Sequence, residues 1–450
     1  MNPQIFREYD IRGVADRDLT DEVVENLGRA VGTFLQRRGN KRIVLSRDCR
    51  LSSPRLHTAL RRGLLETGLS LIDIGVGPTP MMYFSVFHLE TDGGVQITGS
   101  HNPPEDNGFK LMSGKSTLAG DEIRELRTMI ERRDFELPGN GRSEDFDPLP
   151  AYAGYMKGNI RLQRTNLRFA IDAGNGAGGP AALLAMHALG LSPQAMYCEM
   201  DGAFPNHHPD PSLPENVAEL VERVRRDGLD VGIAYDGDAD RIGVVDNKGN
   251  VIFGDRLMIL LSRHILARHP GAAILGEVKC SQTLYDDVAR HGGRPIVWKT
   301  GHSLIKRKMK EENALLAGEM SGHVFFADRY FGYDDAIYAS LRLLEIMAQT
   351  DLPLDQVLAD VPQTCSTPEL RVDCPDEVKF DVVARVLSHY RATHDVLDVD
   401  GARVNFEGGW GLVRASNTQP ALVLRFEAQS DVRLQEIRSE VEEVVRRARG

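Results

Sequence analysis

The sequence lacks any run of about 18 consecutive apolar residues, the length a membrane-spanning helix needs. The opening stretch MNPQIFREYDIRG has no apolar h-region, so no secretory leader is expected. Cysteine is scarce: five residues, at 49, 198, 280, 365 and 374, with no C-x-x-C spacing. An odd, scattered set argues against a disulfide framework and a zinc site. A reducing cytoplasm is the expected location. Basic residues are outnumbered, 54 against 65 acids, for a formal net charge of −11. That balance argues against a nucleic-acid partner, which calls for a basic face. A small anionic substrate stays compatible, because it needs only a local positive pocket.

The chain has 450 residues, 42% hydrophobic and 26% charged. At about 100 to 200 residues per domain, two to four domains are expected. Helix-like and strand-like segments alternate from residue 20 onward, with helices at 20–39 and in SPRLHTALRRGLLETG, where Pro54 sits in the first helical turn. Strands are expected in KRIVLSRD, LSLIDIG and GGVQI. LPGNGRSEDFDPLP, near 138–150, reads as a linker. The rhythm restarts at LRFAIDA, with a strand pair in LDVGIAYDGDADRIGVVD, and again near 254, where GDRLMILLSRHILARH reads as a surface helix. A long helix is expected at 334–349. After 364, consecutive strands joined by Gly-rich turns, flanked by helices at 377–390 and from 431, indicate an α+β unit. The expected fold is α/β: three α/β units, at 1–146, 147–253 and 254–364, plus a C-terminal α+β domain at 365–450.

Four stretches carry chemistry. In TGSHNPPEDNGFK, Ser100 follows the apolar strand GVQI, at the sheet edge where ligands bind in α/β folds. Read alone it is a turn serine; the hydrolase pattern G-x-S-x-G is absent. In YDGDADR, Asp236, Asp238 and Asp240 alternate between apolar strands. Carboxylates this dense repel one another, and hard oxygen ligands suit Mg²⁺ or Ca²⁺. Arg241 adjoins them. In GEMSGH, Glu319, Ser321 and His323 combine groups able to read sugar hydroxyls. In RASNTQP, Arg414 offers a phosphate-matching fork beside Ser416, Asn417 and Thr418. A fifth stretch has the spacing of a dinucleotide fingerprint, G-x-G-x-x-G at Gly174, Gly176 and Gly179. There Glu199 lies beyond the expected distance, Pro180 is unusual, and a tight strand-to-helix turn needs glycine anyway.

TGSHNP, DGDADR, GEMSGH and RASNTQP, in this order and with FREYDIRG before them, resemble the α-D-phosphohexomutase superfamily, and most of all its bacterial phosphomannomutase/phosphoglucomutase group. The resemblance covers essentially the whole chain. It implies three related α/β domains with mixed sheets and a C-terminal α+β domain, arranged around a central cleft, and interconversion of hexose 1-phosphate and hexose 6-phosphate, mannose and/or glucose, through a phosphoserine and a hexose 1,6-bisphosphate. Ser100 would carry phosphate, and with Asp236, Asp238 and Asp240 it would hold Mg²⁺. Glu319, Ser321 and His323 would grip sugar hydroxyls; Arg414, Ser416, Asn417 and Thr418 would hold the non-reacting phosphate. Tyr9, Arg12, Lys110, Arg241, Lys279 and His302 match site positions, and Lys110, His101 and His323 are the general acid/base candidates. Glucose 1,6-bisphosphate is the expected activator, and a monomer acting on small hexose phosphates is expected. The alternatives are a phosphoglucosamine mutase, a metal-dependent sugar phosphatase, and a silent sugar-phosphate sensor.

Overall fold

The computed structural model describes residues 1–417 and 419–449. Three mixed sheets and one antiparallel sheet follow one another along the chain. Helices form where the sequence offers start signals and an apolar face. Thr20 caps Asp21–Arg37 by accepting from Val23 N, and Asp335 caps Ala336–Met347 by accepting from Tyr338 N at 2.8 Å.

The first three sheets share one strand plan. In the first, Gly93–Ile97 runs parallel to Arg42–Arg47, which runs parallel to Ser70–Val76; Asp106–Ser113 then returns antiparallel beside Gly93–Ile97. In the second, Val231–Tyr235 is parallel to Phe169–Asp172, with Gln194–Met196 outside it, and Ile242–Asp246 returns antiparallel. In the third, Leu316–Gly318 is parallel to Ala273–Glu277, with Arg294–Trp298 outside, and Val324–Phe326 returns antiparallel. The link from the last parallel strand to its antiparallel partner carries Ser100 in the first unit, Asp236–Asp240 in the second and Glu319–His323 in the third. One topological position therefore supplies three of the chemical loops, each at the carboxyl end of a parallel strand.

A continuous apolar core runs through these three units, from Val44 and Tyr83 through Phe169 and Ile233 to Leu316 and Leu343. The helices Thr79–His88 and Ala336–Met347 lie inside it, buried along almost their whole length. The fourth sheet is antiparallel throughout and has its own core, including Val386, Leu422, Phe426 and Ile437. It joins the third unit where Trp410 and Leu412 close over Val278. Arg403 reinforces that joint by donating to the carbonyls of Val278 (2.7 Å) and Cys280 (2.9 Å).

Two expectations need correction. The stretch near 138–150 contains a strand, Arg142–Asp145, which extends the first sheet in parallel with Ser70–Val76. It is an exposed polar edge strand, so it lacks the apolar alternation that marks a strand in sequence. The helix Gly254–Leu266 is a core helix, with Leu257 to Ser262 all buried. Asp255 and Arg256 sit in its first turn and Arg263 and His264 in its last, so its middle is apolar on every side.

Candidate active site

Ser100 is buried and has a left-handed backbone, φ +51°. Its N–H donates to Thr98 Oγ1 at 2.8 Å. Its Oγ donates to Asp236 Oδ2 at 2.9 Å and lies 3.2 Å from His101 Nδ1. This serine of the first unit thus touches the acidic loop of the second. Gly237 makes the approach feasible, since a Cβ there would lie 2.4 Å from Ser100 O.

Asp236, Asp238 and Asp240 are fully buried, and one oxygen from each lies within 4.8 Å of the others. Asp236 Oδ1 accepts from the N–H groups of Asp240 and Arg241, both at 3.1 Å. Asp238 Oδ2 accepts from Thr79 Oγ1 (2.5 Å) and Lys110 Nζ (2.8 Å), and Lys110 also donates to Asp240 Oδ2. Among the described residues Asp238 Oδ1 has no hydrogen-bond partner, and Asp240 Oδ1 faces only His323 Nε2, at 3.2 Å. A buried carboxylate oxygen without a donor, in a set of three clustered carboxylates, fits a hard divalent cation.

The charges respond to this packing. Burial and then the neighbouring Asp240 and Asp238 hold the Asp236 carboxyl well above the usual range. Burial would lower Lys110, but Asp238 and Asp240 outweigh it and raise its ammonium. His101 is pushed down by burial and by Arg241 and Arg12. For His323, Asp240 and Glu319 override burial and raise it to about 10.

The remaining predicted residues extend from this centre in two directions. Arg12 pairs with Asp10 at 2.6 Å and donates to Asn102 Oδ1 at 3.3 Å. Glu319, Ser321 and His323 do converge: His323 Nδ1 is 2.7 Å from Glu319 Oε2 and 3.1 Å from Ser321 Oγ. Gly301 N donates to Glu319 Oε1 at 2.7 Å, which ties this loop to His302. His302 lies edge-on to Tyr9, with ring centroids 6.1 Å apart, and its buried Nε2 has no hydrogen-bond partner among the described residues. Tyr9 OH donates to Thr300 O at 2.9 Å and accepts from Asn417 Nδ2, joining the first, third and fourth units. Arg414 Nε donates to Asp400 Oδ2 at 2.9 Å, and Thr300 N donates to the same oxygen at 3.1 Å. Lys279 Nζ donates to Glu369 Oε2 at 2.9 Å. Ser416 Oγ accepts from Gln419 N at 3.1 Å. Thr418 lies outside the described residues.

Several groups at the site escape sequence reasoning. Thr79 comes from a helix start far from the acidic loop. Asp334 shares a 4.8 Å cluster with Asp240 and His323 and pairs with Lys306 at 3.0 Å. Glu369 and Asp400 pair with the cations of the fourth-unit side, and no local pattern marks them. The glycine-rich 174–179 turn backs the acidic loop: Ala177 N donates to Gly237 O, and a Cβ on Gly178 would meet Ala239 Cβ at 2.5 Å. Close packing against that loop accounts for Gly176 and Gly178, whereas Gly174 has a left-handed backbone, φ +50°, and a Cβ on Gly179 would lie 2.2 Å from Cys198 O.

Comparison with known proteins covers the whole architecture. Residues 3–137, 150–249 and 253–365 match alpha/beta/alpha domains I, II and III of phosphoglucomutase/phosphomannomutase, and residues 369–444 match its C-terminal domain. A phosphomannomutase/phosphoglucomutase of Pseudomonas aeruginosa is 45% identical over 97% of this chain and 94% of the relative. A phosphoglucomutase of Neisseria gonorrhoeae is 44% identical over 98% of this chain and 96% of the relative. The crystal structure of a phosphoglucomutase/phosphomannomutase family protein from Burkholderia thailandensis superposes with TM-score 0.94 at 40% identity, covering 100% of this chain and 98% of that one. Four matching domains in one order, and relatives above 40% identity along the full length, place the chain in the phosphoglucomutase/phosphomannomutase family.

Proposed function

We propose that the protein is a phosphohexomutase, interconverting the 1- and 6-phosphates of mannose and/or glucose through a phosphoserine at Ser100. The observation that carries the reading is the 2.9 Å contact of Ser100 Oγ with Asp236, within a cluster of three buried carboxylates. Asp236, Asp238, Asp240 and the Ser100 group would hold Mg²⁺. Bound there, Mg²⁺ would offset negative charge on the travelling phosphoryl group.

This chain's own residues do the rest. The free hydroxyl of a hexose phosphate attacks the phosphorus on Ser100; the new O–P bond forms as the bond to Ser100 Oγ breaks, and the hydroxyl's proton passes through the general acid/base to Ser100 Oγ, leaving a hexose 1,6-bisphosphate. The sugar then turns over, and the other phosphate returns to Ser100. Lys110, on the strand that follows the serine loop, reaches the acidic loop, where its ammonium would offset phosphate charge. Of the acid/base candidates, His101 lies nearest Ser100 Oγ, at 3.2 Å, whereas Lys110 and His323 are both ion-paired to acids. Glu319, Ser321 and His323 would read sugar hydroxyls; Lys279, Arg414, Ser416, Asn417 and Thr418 would hold the resting phosphate, with Tyr9, Arg12, Arg241 and His302 lining the path between. Glucose 1,6-bisphosphate, able to phosphorylate Ser100, is the proposed activator.

The test is a coupled assay with mannose 1-phosphate, glucose 1-phosphate and glucosamine 1-phosphate, run with Mg²⁺ and with excess chelator. The reading requires turnover of the mannose or glucose ester that chelation abolishes. Preference for glucosamine 1-phosphate would favour the phosphoglucosamine alternative. Stoichiometric release of inorganic phosphate would favour the phosphatase.

A further inference from the structure

Arg50 has no part in the chemistry above, and its side chain is completely buried. Its guanidinium gives four hydrogen bonds to the backbone of one loop. Nη2 donates to the carbonyls of Ser100 (2.7 Å) and Asn102 (2.6 Å); Nη1 donates to those of Pro103 (2.5 Å) and Asp106 (3.0 Å). Its Nε faces Asp48 Oδ2 at 3.2 Å, and that oxygen also accepts from Gly99 N at 3.2 Å. Asp48 is fixed in turn by Ser53 Oγ (2.5 Å) and by Arg50 N (3.0 Å), both on Oδ1. The pair therefore clamps the serine loop from both sides: the carboxylate takes the amide of residue 99, and the guanidinium takes the carbonyls of residues 100, 102, 103 and 106.

Such a clamp has a purpose at this loop. The left-handed backbone of Ser100 is one that non-glycine residues hold only when their surroundings enforce it. A guanidinium suits the task because its planar fork presents several donors in fixed directions, and carbonyls around one cation form short, charge-assisted bonds. The clamp also reaches into the second unit. Arg50 forms a β-bridge with Gly202, and its guanidinium carbon lies 5.1 Å from the Phe204 ring centroid. The residue that shapes the serine loop thus also contacts the Gly202–Phe204 segment of the second unit. Space at the clamp is fully used, since a Cβ on Gly99 would lie 2.5 Å from the guanidinium carbon.

We propose that Arg50, oriented by Asp48, is a positioning residue for phosphoryl transfer: it holds the 99–106 loop in the one conformation that aims Ser100 Oγ at Asp236. The proposal rests on the phosphohexomutase reading for its kinetic consequence, but not for its structural one. Lysine at this position keeps the charge and loses the fork. In Arg50→Lys, the amides of Asn102 and Asp106, which donate within the loop to Gly99 O and Pro103 O, should exchange with solvent at least about tenfold faster, while those of strand Gly93–Ile97 stay unchanged. With mannose 1-phosphate, kcat should fall about 100-fold, the cost expected of a reacting group displaced by about 1 Å, while KM stays within about threefold. More inorganic phosphate should be released per sugar isomerised.

Loop exchange equal to wild type, or a kcat within about twofold of wild type in the folded variant, would overturn the proposal. If Arg50→Lys does not fold, Asp48→Asn undergoes the same measurements, with the same results expected and the same results overturning it. The exchange measurement needs no turnover. A wild-type protein without mutase activity would therefore remove the phosphohexomutase reading and leave the clamp to be judged on exchange alone.

Discussion

Lys110→Met offers a quantitative probe of the buried acids. Asp236, Asp238 and Asp240 have no exposed surface, and Asp334, equally buried, stands beside Asp240. Lys110 donates to Asp238 Oδ2 at 2.8 Å and also to Asp240 Oδ2, so one ammonium offsets two carboxylates. Methionine keeps much of the side-chain length and removes the charge. Breaking a buried pair by deleting one partner costs about 3–5 kcal/mol, mainly because the orphaned charge stays in a poorly solvated place. The loss should appear in urea unfolding with excess chelator present. Mg²⁺ should then reverse a large part of it, since a ligand at 100 times its Kd stabilises by about 2.7 kcal/mol. The Mg²⁺-dependent gain should be larger in the variant than in wild type, because the triad has lost its internal cation. Turnover should stay low even with Mg²⁺, for want of the ammonium beside the transferring phosphate. Unchanged stability of Lys110→Met in chelator, or equal Mg²⁺-dependent gains in the two proteins, would refute the reasoning.

Three further outcomes follow from individual contacts. Arg414→Ala should lower kcat/KM about 10- to 100-fold, chiefly through KM, because it removes a charge-assisted phosphate contact worth about 1.5–3 kcal/mol; an unchanged KM in steady-state assays would count against the anion site. Gly178→Ala places a Cβ 2.5 Å from Ala239 Cβ, so it should destabilise by about 1–3 kcal/mol and weaken Mg²⁺ binding measured by calorimetry. His264 is lowered to about 4 by burial and by Arg268 and Arg342, against an ordinary 6.5. The unfolded chain then binds the extra proton first, so stability is complete above pH 6.5 and falls as the pH drops toward 4, by about 2 kcal/mol at pH 5. Urea titrations at pH 7.5 and pH 5 should show that much less acid sensitivity in His264→Gln than in wild type.

The parts of this architecture that were legible in the sequence share a cause. Strands such as Gly93–Ile97 and Val231–Tyr235 are buried on both faces, so they appear as apolar runs, and the chemical loops follow them directly. The aspartate loop stood out because three acids held between apolar strands repel one another unless a cation joins them. Arg142–Asp145 did not, because an exposed polar edge strand carries no apolar alternation. The strand plan common to the three α/β units was also hidden: it lies in the pairing order, while the side chains on equivalent strands differ. Arg50, Thr79, Asp334, Glu369 and Asp400 reach the site or its supports through contacts across units or between distant loops, and each sits in a stretch with no motif of its own. The 174–179 glycines were legible as a tight turn, but only the packing against Gly237 and Ala239 shows what the turn serves.

The central claim is that Ser100 carries the phosphate. Its most direct measurement is intact mass after incubation with glucose 1,6-bisphosphate and Mg²⁺ and an acid quench, followed by peptide mapping. A protein heavier by one phosphate, with the modification on the peptide containing Ser100 and absent from Ser100→Ala, is the predicted result. Wild-type protein that stays unmodified while it isomerises sugar phosphate, or Ser100→Ala that turns over at the wild-type rate, would contradict it.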